Sequence, residues 1–334
     1  MNLNLNEEVR EGHLVTADMK KVWAVELDLL EKFLSYCKEH NLKCWVHAGT
    51  LLGAVRHKGY IPWDDDIDLM MLREDYDRMC KIGNEGLEKP YFLQTAYSDV
   101  DYHRGHAQFR RSDTTGIRPP DSYEKFNQGI FIDIFPLDAV PDDRKLVHDY
   151  CRIFRRTMRL LKAKNCSLLV SGRLSLLFRK IRAKYRVLRY GWANIYAKAE
   201  DKMRELGRMP HTKVAELTFS ADKVVWDKSI FDETVYLPFE HLMVPAPKEY
   251  DAFLKKKYGA NYMTPVKAPI IPSGTHIHVH RIGNTEAPKF RHEFIKMHHS
   301  RRIYNADITV QFCKCPVTAG SRTIKVHNGC SVPY

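Results

Sequence analysis

The residues best suited to chemistry lie in two places. Asp64, Asp65, Asp66 and Asp68 crowd together after Pro62-Trp63, and Asp133 is a lone charge in the apolar run Ile130-Phe131-Ile132-Asp133-Ile134-Phe135. Carboxylates that point the same way repel one another unless a cation lies between them. Hard ions such as Mg2+ and Mn2+ accept carboxylate oxygens and bind substrate phosphates at the same time. An unpaired carboxylate inside an apolar strand is costly to bury, which argues that Asp133 faces the same ion from a neighbouring strand. The competing reading is an exposed acidic loop at 64–68 with Asp133 paired to an arginine. Upstream, Gly49 and Gly53 permit close approach of backbone to a phosphate, and Thr50 can donate at a helix N-terminus. Arg56 and Lys58 add positive charge nearby. A small-residue turn, then D-x-D on the next strand, then another strand Asp, is the layout of a nucleotidyltransferase-type metal site.

These residues need elements to hold them. Apolar positions at spacings of three and four over 18–40 predict the clearest helix, with Thr16 or Asp18 as N-cap. Lys43–His47 reads as a short strand, Ala48-Gly49-Thr50 as a turn, and Leu51–His57 as a short helix. Asp64–Met71 reads as a strand, and its alternation places Asp66 and Asp68 on one face. A helix follows over Glu74–Ile82, then strands over Tyr91–Thr95, His106–Arg110 and Ile130–Phe135. Glu216–Phe219 and Val235–Leu237 read as short strands, and Tyr250–Tyr258 as a final helix closed by Gly259. The order predicts an α+β fold, a mixed sheet flanked by helices.

The stretch GTLLGAVRHKGYIPWDDDIDLMMLREDY, with GIFIDIFPLD downstream, closely resembles the LicD family of phosphocholine transferases and, more distantly, fukutin-type ribitol-phosphate transferases. Val244-Pro245-Ala246-Pro247 and the segment Lys257–Met263 resemble the family's C-terminal signature. The likeness runs from about residue 20 to 270, is weakest over 145–210, and stops near 275. It implies a nucleotidyltransferase-like fold and transfer of a phospho-alcohol from CDP-choline, or another CDP-alcohol, to a hydroxyl of a surface glycan. Teichoic acid and lipopolysaccharide are the implied acceptors, lipid-linked or free, and CMP is the implied product. On this reading Asp64, Asp66, Asp68 and Asp133 hold Mg2+ or Mn2+, and Asp133 or Asp68 takes the acceptor proton. Gly49, Thr50, Gly53, Arg56 and Lys58 contact the donor phosphates. An aromatic wall for a quaternary ammonium would come from Tyr60, Trp63 or Tyr76, each of which has core packing as its alternative. His47 reads as a structural hydrogen-bonder with a catalytic role as its alternative, and Arg110 and Arg111 as phosphate contacts or an exposed strand end.

The chain has 53 Lys+Arg against 41 Asp+Glu, a formal charge of +12. Residues 141–210 hold 19 basic and 6 acidic residues, leaving 34 against 35 elsewhere, so this one region carries the excess. Between Cys151 and Tyr190 there are 13 basic residues and no acidic one. Apolar residues interleave with them at helical spacing, which predicts a basic helical insertion. Such helices suit an anionic membrane surface; a solvated face over ordinary core is the plain alternative, and nucleic acid is disfavoured. Two other functions stay open at this level: a nucleotidyltransferase consuming an NTP, and a non-catalytic basic binding protein.

The first residues show neither a basic n-region nor an apolar h-region, and no apolar run reaches spanning length. The expectation is a cytoplasmic protein, peripheral at the inner face of the membrane. Cys37, Cys44, Cys80, Cys151 and Cys166 sit among apolar neighbours, as reduced core thiols do. Cys313, Cys315, His327 and Cys330 match no standard zinc spacing. Four regions are expected: a catalytic core over 1–140, the basic helices over 141–210, the rest of the LicD-like domain over 211–270, and an accessory or poorly ordered tail over 271–334.

Overall fold

The structure is a computed structural model in which residues 3–118, 121, 124–165, 174–220, 223–265 and 279–282 are described. A short hairpin, β1 (Glu8–Arg10) and β2 (His13–Val15), leads into the long helix α1 (Ala17–Glu39). Thr16 caps α1, its hydroxyl accepting from the Met19 amide at 3.2 Å, and so satisfies one orphan N–H of the first turn. Val22, Trp23, Leu27, Leu30 and Phe33 form its fully buried stripe. Then come β3 (Trp45–Val46), α2 (Ala48–Arg56), β4 (Asp68–Leu72) and α3 (Arg73–Ile82). Next are β5 (Tyr91–Gln94), β6 (Ala107–Arg111), β7 (Thr114–Ile117) and β8 (Ile130–Ala139). Three helices follow: α4 (Arg144–Asn165), α5 (Leu174–Tyr190) and α6 (Trp192–Gly207). The chain continues through β9 (Lys213–Ala215), β10 (Val225–Asp227), the hairpin β11 (Thr234–Phe239) and β12 (Leu242–Pro247), and α7 (Tyr250–Tyr258). Beyond residue 265 the described element is β13 (Val279–Ile282), antiparallel to β7.

The main sheet is mixed and runs β10-β9-β8-β4-β3, with β6 also on β8 and β5 on β6. Only the β4–β8 pair in this sheet is parallel. The α+β expectation holds. All ten residues of β8 are buried, with α1, α3 and α6 packed against the strand. The core packs α1, α2, α7 and the β11–β12 hairpin against the sheet around Trp23, Trp45, Leu51, Phe109, Ile134 and Trp226. Each such side chain contributes about 1.5–3 kcal/mol on leaving water.

A second apolar cluster joins Val147, Cys151, Phe154 and Leu161 of α4 to Tyr196, Met203 and Leu206 of α6. The apolar face of α4 is therefore interior. The helical layer is tied to the sheet by ions as well: Arg73 Nε donates to Asp138 at 2.7 Å and its guanidinium also reaches Glu200 at 3.0 Å. Arg204 of α6 in turn binds Asp77 of α3.

Three local expectations need correction. Strand β4 begins at Asp68, so Asp64 and Asp66 lie in the segment before it and no strand alternation aligns them. Helix α2 begins at Ala48, so Gly49 and Thr50 belong to its first turn. Residues 216–219 form a turn, and the strand is 213–215. Cys37, Cys44 and Cys151 are buried thiols outside any disulfide, and Cys80 is a partly buried one. Cys166, Cys313, Cys315, His327, Cys330 and most of the tail lie outside the described residues.

Candidate active site

The sheet brings the two acidic features together. In the parallel pair β4–β8, Asp68 and Asp133 are direct Cα partners. Across the other edge of β8, Asp133 faces Gln108 of β6. The register therefore places the start of β4 beside the lone strand carboxylate, and the 64–67 segment delivers the remaining aspartates to the same end. Backbone bonds fix this arrangement: the Asp133 amide donates to the Ile67 carbonyl at 2.9 Å, and the His47 amide to the Asp68 carbonyl at 2.8 Å.

The first turn of α2 is built against this acidic end. The Thr50 hydroxyl accepts from the Asp68 amide at 2.8 Å. A Cβ at Gly49 would fall 2.5 Å from Asp64 Oδ2, so glycine here makes room for a carboxylate. At Gly53 a Cβ would fall 2.4 Å from the Gly59 carbonyl, so that glycine lets α2 close on the loop after it. Among the anticipated phosphate contacts, Arg56 is turned toward the C-terminal segment, donating to the Tyr262 carbonyl at 2.8 Å and to His57. Lys58 is exposed at a left-handed turn position, φ +56°.

Helix α1 buttresses the loop from beneath. Trp23 Nε1 donates to the Asp64 carbonyl at 3.0 Å and stacks on Tyr60 at 4.4 Å. Tyr60 is buried and donates its hydroxyl to Glu26 at 3.0 Å. Tyr76 is likewise buried, under the Arg73 guanidinium. Neither is brought to the cluster as an aromatic wall. Trp63 is half-exposed, edge-on to His13 and His57. Arg110 is buried and bonded to Gln94, Gln108 and the Gly129 carbonyl, and Arg111 pairs with Asp28 and Asp113. Both arginines hold the sheet edge together.

The electrostatics divide the carboxylates into two kinds. Burial, then the charges of Asp68 and Asp64, push Asp66 far above the usual carboxylate range. Burial, then Asp133 and Asp64, do the same to Asp68, with Lys257 opposing. Glu26 is also driven well up, first by burial and then by Asp65. Asp133 goes the other way: burial raises it, but His106, Arg118 and the Gln108 amide outweigh that and hold it below the ordinary value. Gln108 Nε2 donates to Asp133 Oδ1 at 2.6 Å, and His106 Nε2 lies 3.2 Å from the same oxygen. His106 is fixed by Phe135, ring centroids 4.6 Å apart, and by Phe219.

A third group closes the site. Glu216 receives His47 Nε2 at 2.7 Å and the Lys257 ammonium at 3.1 Å. Burial raises Glu216, but His47 and Lys257 dominate and bring it down to about 2. Burial, opposed by the Glu216 carboxylate and reinforced by Lys257, holds the His47 imidazole below its usual range. His47 is thus structural, wedged among Phe135, Trp226 and Phe253. Lys257 and Tyr258 enter from α7, and the hydroxyl of Tyr258 is driven up by burial and then by Asp68 and Asp64. These residues, together with His106, Gln108 and Arg118, were not marked as site residues by sequence. The alternation of His106 and Gln108 was visible, but nothing local paired that strand with Asp133.

Among the described residues no three side chains of metal-binding type already converge on one point. The donor set nevertheless fits a hard divalent cation. It is all carboxylate and half-buried or buried; Asp66 and Asp68 are raised by burial and then by their neighbouring carboxylates, a repulsion that a cation would relieve.

Residues 41–160 match the family described as LicD/FKTN/FKRP, nucleotidyltransferase domain. That stretch is similar to a LicD-family domain. The match spans both acidic features and reaches into α4, but is narrower than the 20–270 expected. Hairpin β11–β12 and α7, which lie outside it, still pack on the matched core. Over 136 residues the chain is 31% identical to the lipopolysaccharide cholinephosphotransferase LicD of Haemophilus influenzae, covering 39% of this chain and 48% of that protein. Two uncharacterised proteins are similar over shorter spans. That of Rickettsia prowazekii is 43% identical over 68 residues, covering 20% of this chain and 23% of its own length. That of Rickettsia typhi is 57% identical over 59 residues, covering 18% and 17%. The chain thus spans about half or less of the curated relatives it matches.

Proposed function

We propose that this protein is a phosphotransferase that moves phosphocholine, or a related phospho-alcohol, from a CDP-activated donor to a hydroxyl of a cell-surface glycan. The observation that carries the reading is the register pairing of Asp68 with Asp133 inside the LicD domain. The named activity of the Haemophilus relative supports choline and lipopolysaccharide as the first donor group and acceptor to test.

Mg2+ or Mn2+ would be held by Asp66, Asp68 and Asp133, with Asp64 beside them. Bound there, the ion would neutralise charge on the donor diphosphate and on departing CMP. The amides of the first turn of α2 have no partner within their own helix and carry the positive end of its dipole, which suits a phosphate oxygen. The acceptor oxygen attacks the phosphorus that bears the alcohol, the P–O bond to CMP breaks, and the acceptor proton passes to a carboxylate. Of Asp133 and Asp68, we assign that proton to Asp133. His106, Arg118 and Gln108 keep it ionised, whereas Asp66 and Asp68 are driven toward protonation unless a cation is present. Lys257, fixed by Glu216, supplies positive charge that opposes the rise of Asp68.

The deciding experiment incubates the protein with Mg2+, an acceptor glycan and each of several CDP-alcohols, and follows CMP. CMP formed from one CDP-alcohol, and abolished by Asp133→Asn, supports the reading. Pyrophosphate released from an NTP, with no CMP from any CDP-alcohol, would establish nucleotidyl transfer instead.

A further inference from the structure

Helix α5 has a surface that the proposed chemistry does not use. Phe178, Ile181, Tyr185 and Leu188 recur at spacings of three and four, which places them on one stripe of the helix. All four are exposed, Leu188 to 87% and Phe178 and Tyr185 to 64% each. The opposite side of α5 is the packed one: Ala183 is buried, and Val187 is half-buried against the α4–α6 cluster. Amphipathic helices of a soluble core bury their apolar stripe; here a second apolar stripe faces outward.

Charge selects the occupant. Helix α5 carries six basic residues and no acidic one, and Arg182, Arg186 and Arg189 are exposed beside the stripe. The exposed side of neighbouring α4 adds Arg152, Arg155, Arg156 and Arg159. A protein partner would need a matching acidic and apolar groove, and a nucleic acid would leave Ile181 and Leu188 without use. A lipid bilayer with anionic headgroups satisfies both at once, taking the apolar side chains below the headgroups and the guanidiniums at their level. No helix among the described residues is long and apolar enough to cross a membrane, so the contact lies on the surface.

We infer that the outward face of α5, supported by the exposed arginines of α4, docks this protein on an anionic lipid surface. The same helical layer reaches the candidate site. Phe154 of α4 and Thr218 pack so tightly on Gly105 that a Cβ there would fall 2.8 Å from each, and the next residue is His106. Tyr196 of α6 donates to the Arg104 carbonyl at 3.1 Å. Docking through α5 therefore sets the acidic end of the sheet at a fixed disposition to the bilayer, which suits an acceptor glycan presented on lipid. The docking itself does not depend on the transferase reading.

The test is co-sedimentation of the full chain with phosphatidylcholine vesicles and with vesicles containing phosphatidylglycerol. The expected result is binding to the anionic vesicles that falls with added salt. Neutralising Arg182→Gln with Arg186→Gln should weaken it about 30-fold, at roughly one lysine- or arginine-sized contribution each. Ile181→Ser with Leu188→Ser should weaken it at least about tenfold while leaving the salt dependence in place. These positions are exposed, so circular dichroism and the melting midpoint of both variants should match the parent. Equal partitioning to neutral and anionic vesicles would overturn the proposal. So would no vesicle binding accompanied by salt-sensitive binding of single-stranded RNA, or by a dimer that the Ile181/Leu188 variant dissolves. CMP release measured with a soluble acceptor reports separately on the transferase reading.

Discussion

Glu216→Gln removes one negative charge and keeps the shape that receives His47 and Lys257. The carboxyl falls from an ordinary 4.5 to about 2 in the folded protein, and its side chain is 4% exposed, so solvent screens it little. A shift of that size corresponds to about 3 kcal/mol of folding stability at neutral pH. Because the folded value is depressed, the contribution is present in full above 4.5 and is lost as pH falls toward 2. About 1 kcal/mol remains near pH 3. Urea unfolding of parent and variant, without divalent ions, over about pH 7 to about pH 3 measures the difference directly. A gap below about 1 kcal/mol at neutral pH, or one that does not narrow on acidification, would refute the claim that an ionised Glu216 anchors α7 to the end of β3.

Asp66→Asn and Asp68→Asn should abolish CMP release and at the same time raise the melting midpoint of the metal-free protein, since each removes a repelling, desolvated charge. Both groups titrate above their unfolded value, so the metal-free parent should lose stability as pH rises through the raised pKa values; Mg2+ or Mn2+ should reverse that loss, as read by thermal shift. Asp133→Asn should abolish turnover with an unchanged circular dichroism spectrum. Gly53→Ala meets a backbone carbonyl that cannot rotate away, and should cost about 1–3 kcal/mol in chemical denaturation. Gly49→Ala meets only the Asp64 carboxylate, and should lower kcat far more than stability.

Local pattern made most of the elements legible. The α1 stripe and its Thr16 cap, α3, α7 with Gly259 behind it, and the apolar run of β8 are each written in consecutive residues. The acidic motif and Asp133 were readable because charge inside an apolar strand demands a reason. Pairing was not readable: Asp68 and Asp133 are 65 positions apart, and only the parallel register makes them neighbours. The choice between packing and aromatic wall was not readable for the same reason: Tyr60 takes the packing alternative because it stacks on Trp23 and bonds Glu26 from a helix distant in sequence. Glycine was ambiguous too. At Gly49 the missing side chain serves a carboxylate, a use no local pattern distinguishes from a phosphate cradle. The glycan acceptor leaves no mark in any single element.

Strand β8 carries two acids with opposite occupations. Asp133 looks to the candidate site, while Asp138, fully buried, receives Arg73 in the ion group that holds α6 to α3. Five positions separate them, an odd number, so a regular strand must send them to opposite faces. Gain or loss of one residue between them would turn both toward the same side, stranding either the chemistry or the ion group. The interval Ile134-Phe135-Pro136-Leu137 is therefore held to length by two independent demands. Natural variants of this chain should tolerate exchanges of side chain there and reject insertions and deletions.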